Sequence, residues 1–156
     1  MRGVSAIKSD TILLVEDDDA DAFLTKRALE QELPEAEIYR VCSVADALDY
    51  LAQIGKYALA PRPDCILIDL NLPGLTGEWL LAEIAKDTRL SNIPVLVLSS
   101  DPERVKAVHD REQVLGAVDK PSSFEAYHEA TEAVSLILRG ALKPTPLPAN
   151  DRAESA

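Results

Sequence analysis

Short apolar segments alternate with segments of helical periodicity along most of this chain of 156 residues. The first, TILLV at 11–15, is apolar and β-branched along its length, as in strands that are buried on both faces of a sheet. Four more such segments, each followed by apolar residues at helical spacing, lie at 37–43, 65–69, 93–100 and 116–120. This order predicts an α/β fold, with one parallel sheet and helices on both of its faces.

Residues that begin and end helices separate these segments. Ser43 stands where the second helix needs an N-cap, and Asp101 followed by Pro102 begins the fourth helix in the same way. Gly140 is placed to end the last helix. In the first helix, the spacing of apolar residues predicts an inner face formed by Ala20, Phe23, Leu24 and Ala28.

The chain is strongly acidic, with 27 Asp and Glu residues against 16 Lys and Arg residues and a net charge of −11. Such a surface repels the phosphates of nucleic acids and anionic membranes, and no basic stripe interrupts it. No apolar segment approaches the roughly 20 residues of a membrane span, and residues 1–10 lack the apolar core of a signal peptide. We therefore expect a cytoplasmic protein that binds neither nucleic acid nor membrane.

The length of the chain suits one compact domain with a single core. We predict an N-terminal extension at 1–9, the α/β domain at 10–140 and a proline-rich, polar tail at 141–156. The tail is too short to fold alone, so we expect a stand-alone domain whose output is contact with other proteins. Cys42 and Cys65 lie in apolar segments and are expected to be small buried residues.

Acidic side chains follow two of the predicted strands. Glu16 and Asp17 come directly after the first strand, and Asp69 ends the third. Functional residues of such sheets lie outside the carboxyl ends of the strands, so these acids are expected to meet. Carboxylates packed together need a counter-ion, and Mg²⁺ binds through one or two carboxylates while it keeps several waters. We predict a Mg²⁺ site with Asp17 and Asp69 as ligands, to which the backbone carbonyl of Asn71 could add a third oxygen.

Two further polar residues lie at the ends of the fourth and fifth strands. Ser99 follows the fourth strand and Lys120 ends the fifth, where their hydroxyl and ammonium groups would face the outer oxygens of a phosphoryl group. A carboxylate can act as a nucleophile and form an aspartyl-phosphate. Because phosphoryl transfer depends mainly on positioning and charge neutralisation, these residues indicate phosphoryl transfer to Asp69.

Four motifs stand in a specific order and spacing: LLVEDD, LIDLNLPGLTG, VLVLSS and DKP. Through them, residues 10–140 closely resemble a bacterial response-regulator receiver domain. The resemblance implies a flavodoxin-like (βα)5 doubly wound parallel sheet with strand order 2-1-3-4-5. It also implies that Asp69 accepts a phosphoryl group from a sensor histidine kinase, and that Glu16 and Asp17 hold Mg²⁺, with Asp17 as the direct ligand.

The same resemblance assigns roles at the fourth and fifth strands. Ser99 takes the place of the switch serine or threonine, Lys120 contacts the phosphate, and the Lys120–Pro121 peptide bond is expected to be cis. One position departs from the family pattern. Ala117 stands three residues before the lysine, where the family often has an aromatic side chain that turns inward on phosphorylation. Signal relay is therefore expected to use other side chains or to be weaker.

Two longer stretches are similar to the small receivers that partner bacterial phytochromes: ILLVEDDDADAFLTKRAL at 12–29 and LAQIGKYALAPRPDCILIDLNLP at 51–73. This similarity implies a light-sensing histidine kinase as the phosphodonor and a homodimer that forms through the last helices. The segment KPTPLP at 143–148 could be an arm of that dimer, because alternating prolines keep a chain extended.

Two alternatives use the same chemistry. A phosphorelay intermediate would pass its phosphoryl group to a histidine phosphotransfer protein, and one site serves both roles. A Mg²⁺-dependent phosphatase that forms an aspartyl-phosphate usually carries its nucleophile after the first strand and encloses its substrate with a cap. Asp69 follows the third predicted strand and the sequence has no cap insertion, which disfavours the phosphatase.

The last helix carries more apolar surface than one core face needs. A helix at the rim of a sheet requires a single stripe for its own core. Two interpretations stay open, namely a broad core face or a surface for a partner such as a second copy of the chain. The two stripes are Phe124, Tyr127, Val134 and Leu138, and Ala126, Ala130, Ala133 and Ile137.

Overall fold

A parallel sheet is the centre of the computed structural model, which describes residues 9–120 and 127–141. Its five strands lie in the order β2-β1-β3-β4-β5, and every neighbouring pair is parallel. This order confirms the predicted flavodoxin-like arrangement. The strands are β1 (Thr11–Val15), β2 (Glu37–Val41), β3 (Cys65–Asp69), β4 (Val95–Leu98) and β5 (Val114–Val118).

Five α-helices in the described part of the chain accompany the sheet. Each of the first four begins at a polar side chain that accepts a hydrogen bond from a backbone N–H of the first turn. These caps are Asp18, Ser43, Thr76 and Asp101, so that two predicted caps are confirmed. No helix among the described residues is both long and apolar enough to cross a membrane. The helices are α1 (Asp19–Glu32), α2 (Val44–Ala52), α3 (Gly77–Lys86), α4 (Pro102–His109) and α5 (Tyr127–Leu138), and one 3₁₀ turn spans Gly55–Tyr57.

Alternation of side chains along the strands divides the core between the two faces of the sheet. On β1, Leu13 and Val15 pack in a cluster with residues of α2 and α3, whereas Ile12 and Leu14 pack with residues of α1 and α5. Every residue of β1, β3 and β4 is buried. Strands covered by helices on both faces must be apolar throughout, which is why these segments were the clearest signal in the sequence.

Helix α1 presents a different face to the core from the predicted one. The prediction is wrong at Ala20 and at Phe23, which is 63% exposed, and Leu24 is only partly buried. The buried positions are Ala22, Thr25 and Leu29, together with the predicted Ala28. Helix α1 packs beside α5, where small side chains allow a close approach, and the Thr25 hydroxyl is satisfied by the carbonyl of Asp21 (2.8 Å). Hydrophobicity alone selected the wrong face because close packing of the two helices favours small residues.

Three strands and one cysteine also differ from expectation. β2 ends at Val41, two residues before the end of the predicted 37–43. β4 is shorter than the predicted 93–100, and β5 begins and ends two residues before the predicted 116–120. β5 is an edge strand in which Leu115 and Gly116 are only partly buried. Its sequence need not be apolar throughout, so its bounds are harder to predict. Cys65 is buried as predicted, but Cys42 is exposed because it lies one residue beyond the end of β2.

Helix α5 buries members of both of its apolar stripes. Tyr127 and Val134 of the first stripe are buried, and so are Ala130 and Ile137 of the second. The broad core face therefore accounts for the pattern in the described part of the helix. The second stripe gives no separate argument for a partner surface.

Some predicted features involve residues outside the described ranges. These are the apolar residues Phe124 and Ala126, the cis peptide bond between Lys120 and Pro121, the extension at 1–9 except for its last residue, and the tail at 141–156 except for its first. The three-part division of the chain stays a prediction for that reason.

The start of α3 packs directly against the end of β3. Gly77 is buried at this contact, and a β-carbon added to it would lie 2.8 Å from Cα of Leu70 and 3.0 Å from the carbonyl oxygen of Asp69. Since backbone atoms cannot yield as a flexible side chain does, only glycine fits without displacing one of the two elements. The contact fixes where the last residue of β3 stands relative to α3.

Replacing Gly77 by alanine should lower the free energy of unfolding by about 1–3 kcal/mol, because the added methyl group forces α3 away from β3. Urea unfolding followed by circular dichroism measures this loss. The same displacement should weaken divalent-cation binding beside Asp69, which the fluorescence of Trp79, the only tryptophan of the chain, can follow.

Gly140→Ala is the matched control. Gly140 has a φ of +73° and no atom within 4 Å of an added β-carbon. The free energy of unfolding of this variant should therefore fall by only about 1 kcal/mol, because an alanine is strained in the left-handed region. Its cation binding should equal that of the wild type. A Gly77→Ala protein with wild-type stability would contradict the proposed close contact.

Candidate functional site

Polar residues gather at the edge of the sheet where the parallel strands end. Glu16 directly follows β1, Asp69 is the last residue of β3, and Ser99 directly follows β4; all three are buried. Lys120 lies two residues beyond β5, with its side chain 20% exposed. Because parallel strands bring their carboxyl ends to one edge, Glu16 and Lys120 meet there although they are 104 positions apart.

Three carboxylates form the acidic part of this edge. Glu16, Asp17 and Asp69 place carboxylate oxygens within 4.8 Å of one another. Glu16 and Asp69 are buried, whereas Asp17 is exposed to solvent. Within residues 9–120 and 127–141, this is the one cluster of acidic, histidine or cysteine side chains with metal-ligand spacing. The fold therefore brings together the three acids that the sequence singled out.

The ammonium group of Lys120 lies among the carboxylates. Its Nζ is 2.6 Å from Oδ2 of Asp69, 2.8 Å from Oδ2 of Asp21 and 3.3 Å from Oε1 of Glu16. Burial by itself lowers the pKa of Lys120, but hydrogen bonds to Asp21 and Asp69 outweigh burial and raise the pKa above its ordinary value. Lys120 is therefore a permanent positive charge beside Asp69 at neutral pH.

Glu16 is a buried carboxylate with one incompletely satisfied oxygen. Burial, and then the charge of Asp69, raise the pKa of Glu16 to about 7. Its Oε2 accepts a hydrogen bond from the backbone N–H of Asp18 (3.2 Å). Its Oε1 is buried and, among the described residues, has Lys120 Nζ at 3.3 Å but no properly oriented hydrogen bond. A divalent cation with oxygen ligands fits this donor set, because it would compensate a buried, under-satisfied carboxylate.

The loop after β3 turns sharply beside Asp69. The backbone N–H of Asn71 donates to Oδ1 of Asp69 (2.9 Å), so the backbone of Asn71 lies next to the carboxylate. Ser99 also lies at this edge, but its hydroxyl is bonded to the loop that precedes α4. Its Oγ accepts a hydrogen bond from the backbone N–H of Asp101 (3.1 Å), and within the described structure it makes no hydrogen bond to the acidic cluster.

Arg40, which the sequence did not single out, holds the loop after β1. From β2 its Nε donates to the carbonyl of Glu16 (2.9 Å), and its Nη2 donates to the carbonyl of Asp17 (3.1 Å). Its Nη1 pairs with Oδ1 of Asp19 (2.8 Å). The guanidinium thus fixes the backbone that carries two of the three clustered acids.

Arg104 holds the loop after β3 in a similar way. From α4 its Nε and Nη2 donate to the two carboxylate oxygens of Glu78 on α3 (2.6 and 2.7 Å). Its Nη2 also donates to the carbonyl of Leu70, and its Nη1 donates to Oδ1 of Asn71 (3.3 Å). The hydrogen bonds from Arg104 hold the pKa of Glu78 below its ordinary value.

Sequence reasoning missed these two arginines and Asp21. Asp21 had a usable signal, since it lies in the first turn of a helix that begins directly after the strand-end acids, and so near the same edge of the sheet. Neither arginine belongs to a local pattern, because each reaches across to another element of the fold.

Comparison with known proteins identifies the family. The model of the response regulator receiver domain matches residues 12–132. Over 89 residues the chain is 42% identical to response regulator Rcp1 of Synechocystis sp.. This match covers 57% of this chain and 60% of Rcp1, which is less than two thirds of that relative.

Two solved structures share the fold. The phosphorylated cyanobacterial phytochrome response regulator RcpA superposes with a TM-score of 0.76 at 33% identity, over 89% of this chain and 100% of RcpA. The Mn²⁺-bound form of response regulator Rcp1 superposes with a TM-score of 0.72 at 32% identity, over 90% of this chain and 99% of that structure. The family match contains the whole candidate site, from Glu16 to Lys120. The chain therefore belongs to the response regulator receiver family and is similar to phytochrome response regulators.

Proposed function

We propose that this chain is a two-component response regulator that accepts a phosphoryl group on Asp69 from a sensor histidine kinase and signals through protein–protein contacts. One observation carries the proposal. The buried carboxylate of Asp69 lies 2.6 Å from the ammonium of Lys120 and within 4.8 Å of the carboxylates of Glu16 and Asp17. Fixed charges around a reactive oxygen are what phosphoryl transfer requires, because positioning and charge stabilisation lower its barrier.

In the proposed reaction, a carboxylate oxygen of Asp69 attacks the phosphorus atom of a phosphohistidine in the kinase. As the new P–O bond forms, the bond between phosphorus and the imidazole nitrogen breaks. The imidazole keeps that electron pair and takes up a proton from solvent, and Asp69 becomes an acyl phosphate. Lys120, already in contact with Asp69, compensates the negative charge of the phosphoryl oxygens, and Ser99 is proposed to contact them from the end of β4.

We propose that Glu16, Asp17 and Asp69 hold Mg²⁺, with Asp17 as the direct ligand and the backbone carbonyl of Asn71 as a further oxygen. The buried, under-satisfied Oε1 of Glu16 supports a cation here. A structure of the relative Rcp1 has been solved with Mn²⁺ bound, so one protein similar to this chain binds a divalent metal. When bound, the ion would neutralise charge on the transferring group.

The proposed phosphodonor is a bacterial phytochrome kinase in the cytoplasm. The support comes from the similarity to RcpA, itself a cyanobacterial phytochrome response regulator, and to Rcp1. The chain would assist only its own phosphorylation and dephosphorylation and would act on no free substrate. A phosphorelay intermediate that passes the group from Asp69 to a histidine phosphotransfer protein is the alternative.

We also propose a homodimer through the last helices and the tail at 141–156. It is supported by the similarity to the phytochrome-partner receivers and by the proline-rich sequence at 143–148, a composition that favours an extended chain. The apolar stripes of α5 do not contribute to this argument, because members of both are buried in the described part of the helix.

Acetyl phosphate with Mg²⁺ should add one acid-stable, base-labile phosphoryl group, detected by mass spectrometry, and chelation of Mg²⁺ should prevent it. Asp69→Asn should abolish the label because it removes the nucleophilic carboxylate. Asp110→Asn, a change of the same kind at an exposed residue, should leave the label unchanged. A label retained in Asp69→Asn would refute the assignment.

The same assay, with an autophosphorylated phytochrome kinase as the donor, tests the partner. Rapid transfer to the wild type and none to Asp69→Asn is expected. Onward transfer to a histidine phosphotransfer protein would favour the relay alternative instead.

Lys120→Met should lower the free energy of unfolding by about 3 kcal/mol in metal-free buffer, because it leaves Glu16 and Asp69 without their internal cation. The deficit should widen as the pH rises above about 7, because the wild type stops losing stability near the pKa of Glu16, whereas the variant without Lys120 has a still higher pKa there and continues to lose it. Urea unfolding followed by Trp79 fluorescence measures it, and Mg²⁺ should recover part of the loss.

Lys106→Met is the control for this variant. Lys106 is exposed and pairs with Glu103 at 3.9 Å, so its loss should change stability by less than about 0.5 kcal/mol. Equal effects of the two substitutions would show that Lys120 does not stabilise the acidic cluster.

For the homodimer, light scattering at micromolar concentration should give a dimeric mass for the full chain. A chain that ends at residue 140 should have a lower mass, because the proposed arm is absent. A monomer in both forms would remove the homodimer from the proposal.

A further inference from the structure

Arg104 connects α4 to the loop that follows the proposed phosphoacceptor. Its guanidinium makes a two-pronged pair with Glu78 and also donates to the carbonyl of Leu70 and to the side chain of Asn71. The side chains of Arg104 and Glu78 are each 26% exposed, so the pair is largely shielded from solvent. Bidentate guanidinium–carboxylate pairs of this kind are stronger and more directional than single hydrogen bonds.

The loop residues that Arg104 contacts are also bonded to Asp69 and to β4. Asn71 donates its backbone N–H to Oδ1 of Asp69, and Leu70 donates its backbone N–H to the carbonyl of Leu98 on β4. Arg104 and Asp69 therefore both bond Asn71, while Leu70 is held between Arg104 and β4. A change in the charge or bonding of the Asp69 carboxylate must act on Asn71, and through it on Arg104.

Helix α4 has few other attachments. Of its eight residues only Val108 is buried, and Pro102, Glu103, Lys106 and Ala107 are exposed. A helix with so little apolar contact opens or shifts at low cost. The bonds of Arg104 are therefore a large part of what fixes the N-terminal half of α4.

The charge of Arg104 is coupled to the site as well. Hydrogen bonding to Glu78, followed by the charges of Glu78, Asp101 and Asp69, raises the pKa of the guanidinium. A phosphoryl group on Asp69 would add negative charge within the same field. The usual aromatic route is absent, since Ala117 is a small, exposed residue on β5.

We propose that Arg104 is a positioning residue which, paired with Glu78, sets the loop at Leu70 and Asn71 for cation binding and transmits phosphorylation of Asp69 to α4. The inference rests on the proposed function, because it takes Asp69 as the phosphoacceptor. It assigns to a guanidinium pair the coupling that Ala117 cannot provide.

Mg²⁺ titration followed by Trp79 fluorescence tests the positioning role. Arg104→Gln should weaken Mg²⁺ binding about tenfold, as is typical when a group that orients a metal ligand is removed. Glu78→Gln should do the same, and the double variant should be no worse than either single one, because the two residues act as a unit. Arg104→Lys, which keeps the charge but loses the planar fork, should fall between wild type and Arg104→Gln.

Amide chemical shifts of α4, recorded by NMR before and after Mg²⁺ with beryllium trifluoride as a stable phosphoryl mimic, test the coupling. In the wild type, the amides of Val105 and Lys106 should move on activation. In Arg104→Gln they should stay near their unactivated positions, while the amide of Asn71 still moves. A merely structural role would shift the α4 amides in both states without removing their response.

Arg89→Gln is the matched control. Arg89 makes a similar two-pronged pair with Asp87 (3.2 and 2.9 Å), yet neither residue touches the loop after β3. This variant should keep wild-type Mg²⁺ affinity and a wild-type α4 response.

The outcomes separate the two proposals. Wild-type Mg²⁺ affinity or a wild-type α4 response in Arg104→Gln would overturn this inference. If Arg104→Gln does not fold, Glu78→Gln answers the same question. A wild-type chain that takes no phosphoryl label on Asp69 would instead overturn the proposed function, and with it the coupling.

Discussion

The contact of the Lys120 ammonium with several carboxylates is the interaction on which the rest of the site depends. Parallel strands deliver Glu16 and Asp69 to one buried edge, where two like charges would otherwise repel each other with little water to screen them. Burial, and then the charge of Asp69, raise the pKa of Glu16 to about 7 even with Lys120 beside it. The ammonium that relieves this repulsion belongs to Lys120, two residues beyond β5. The site therefore depends on the strand order, which brings the end of β5 to the same edge as the ends of β1 and β3.

Around this centre, two arginines hold the loops that carry the acids. Arg40 stands on the edge strand β2, and its contacts with the carbonyls of Glu16 and Asp17 tie the first loop to the sheet. Arg104 stands on a helix with one buried residue and ties the second loop to it. One loop is thus held by a strand of the sheet, whereas the other is held by a helix that lies largely at the surface.

The central strands were predictable because burial on both faces requires an unbroken apolar segment. β1 and β3 have the predicted bounds for this reason, whereas the edge strand β5 was misplaced by two residues because it is only partly buried. The inner face of α1 was wrong at Phe23, since packing against α5 selected the smaller Ala22. The strand-end acids and Lys120 could be chosen from sequence because strand polarity alone sends them to one edge, although their roles remain proposals.

The strand order was expected from the resemblance to receiver domains, whereas the sequence by itself determined the parallel α/β fold and the group of residues that meets at the carboxyl edge. These follow from local patterns, namely apolar segments, caps and the polarity of strand ends, which act over a few residues. Only the tertiary structure decided that Asp21 shares Lys120, that Gly77 must lack a side chain, and that Arg40 and Arg104 hold the two loops. Those contacts depend on how elements distant in sequence cross in space and on how far a long side chain reaches, and no local pattern encodes either.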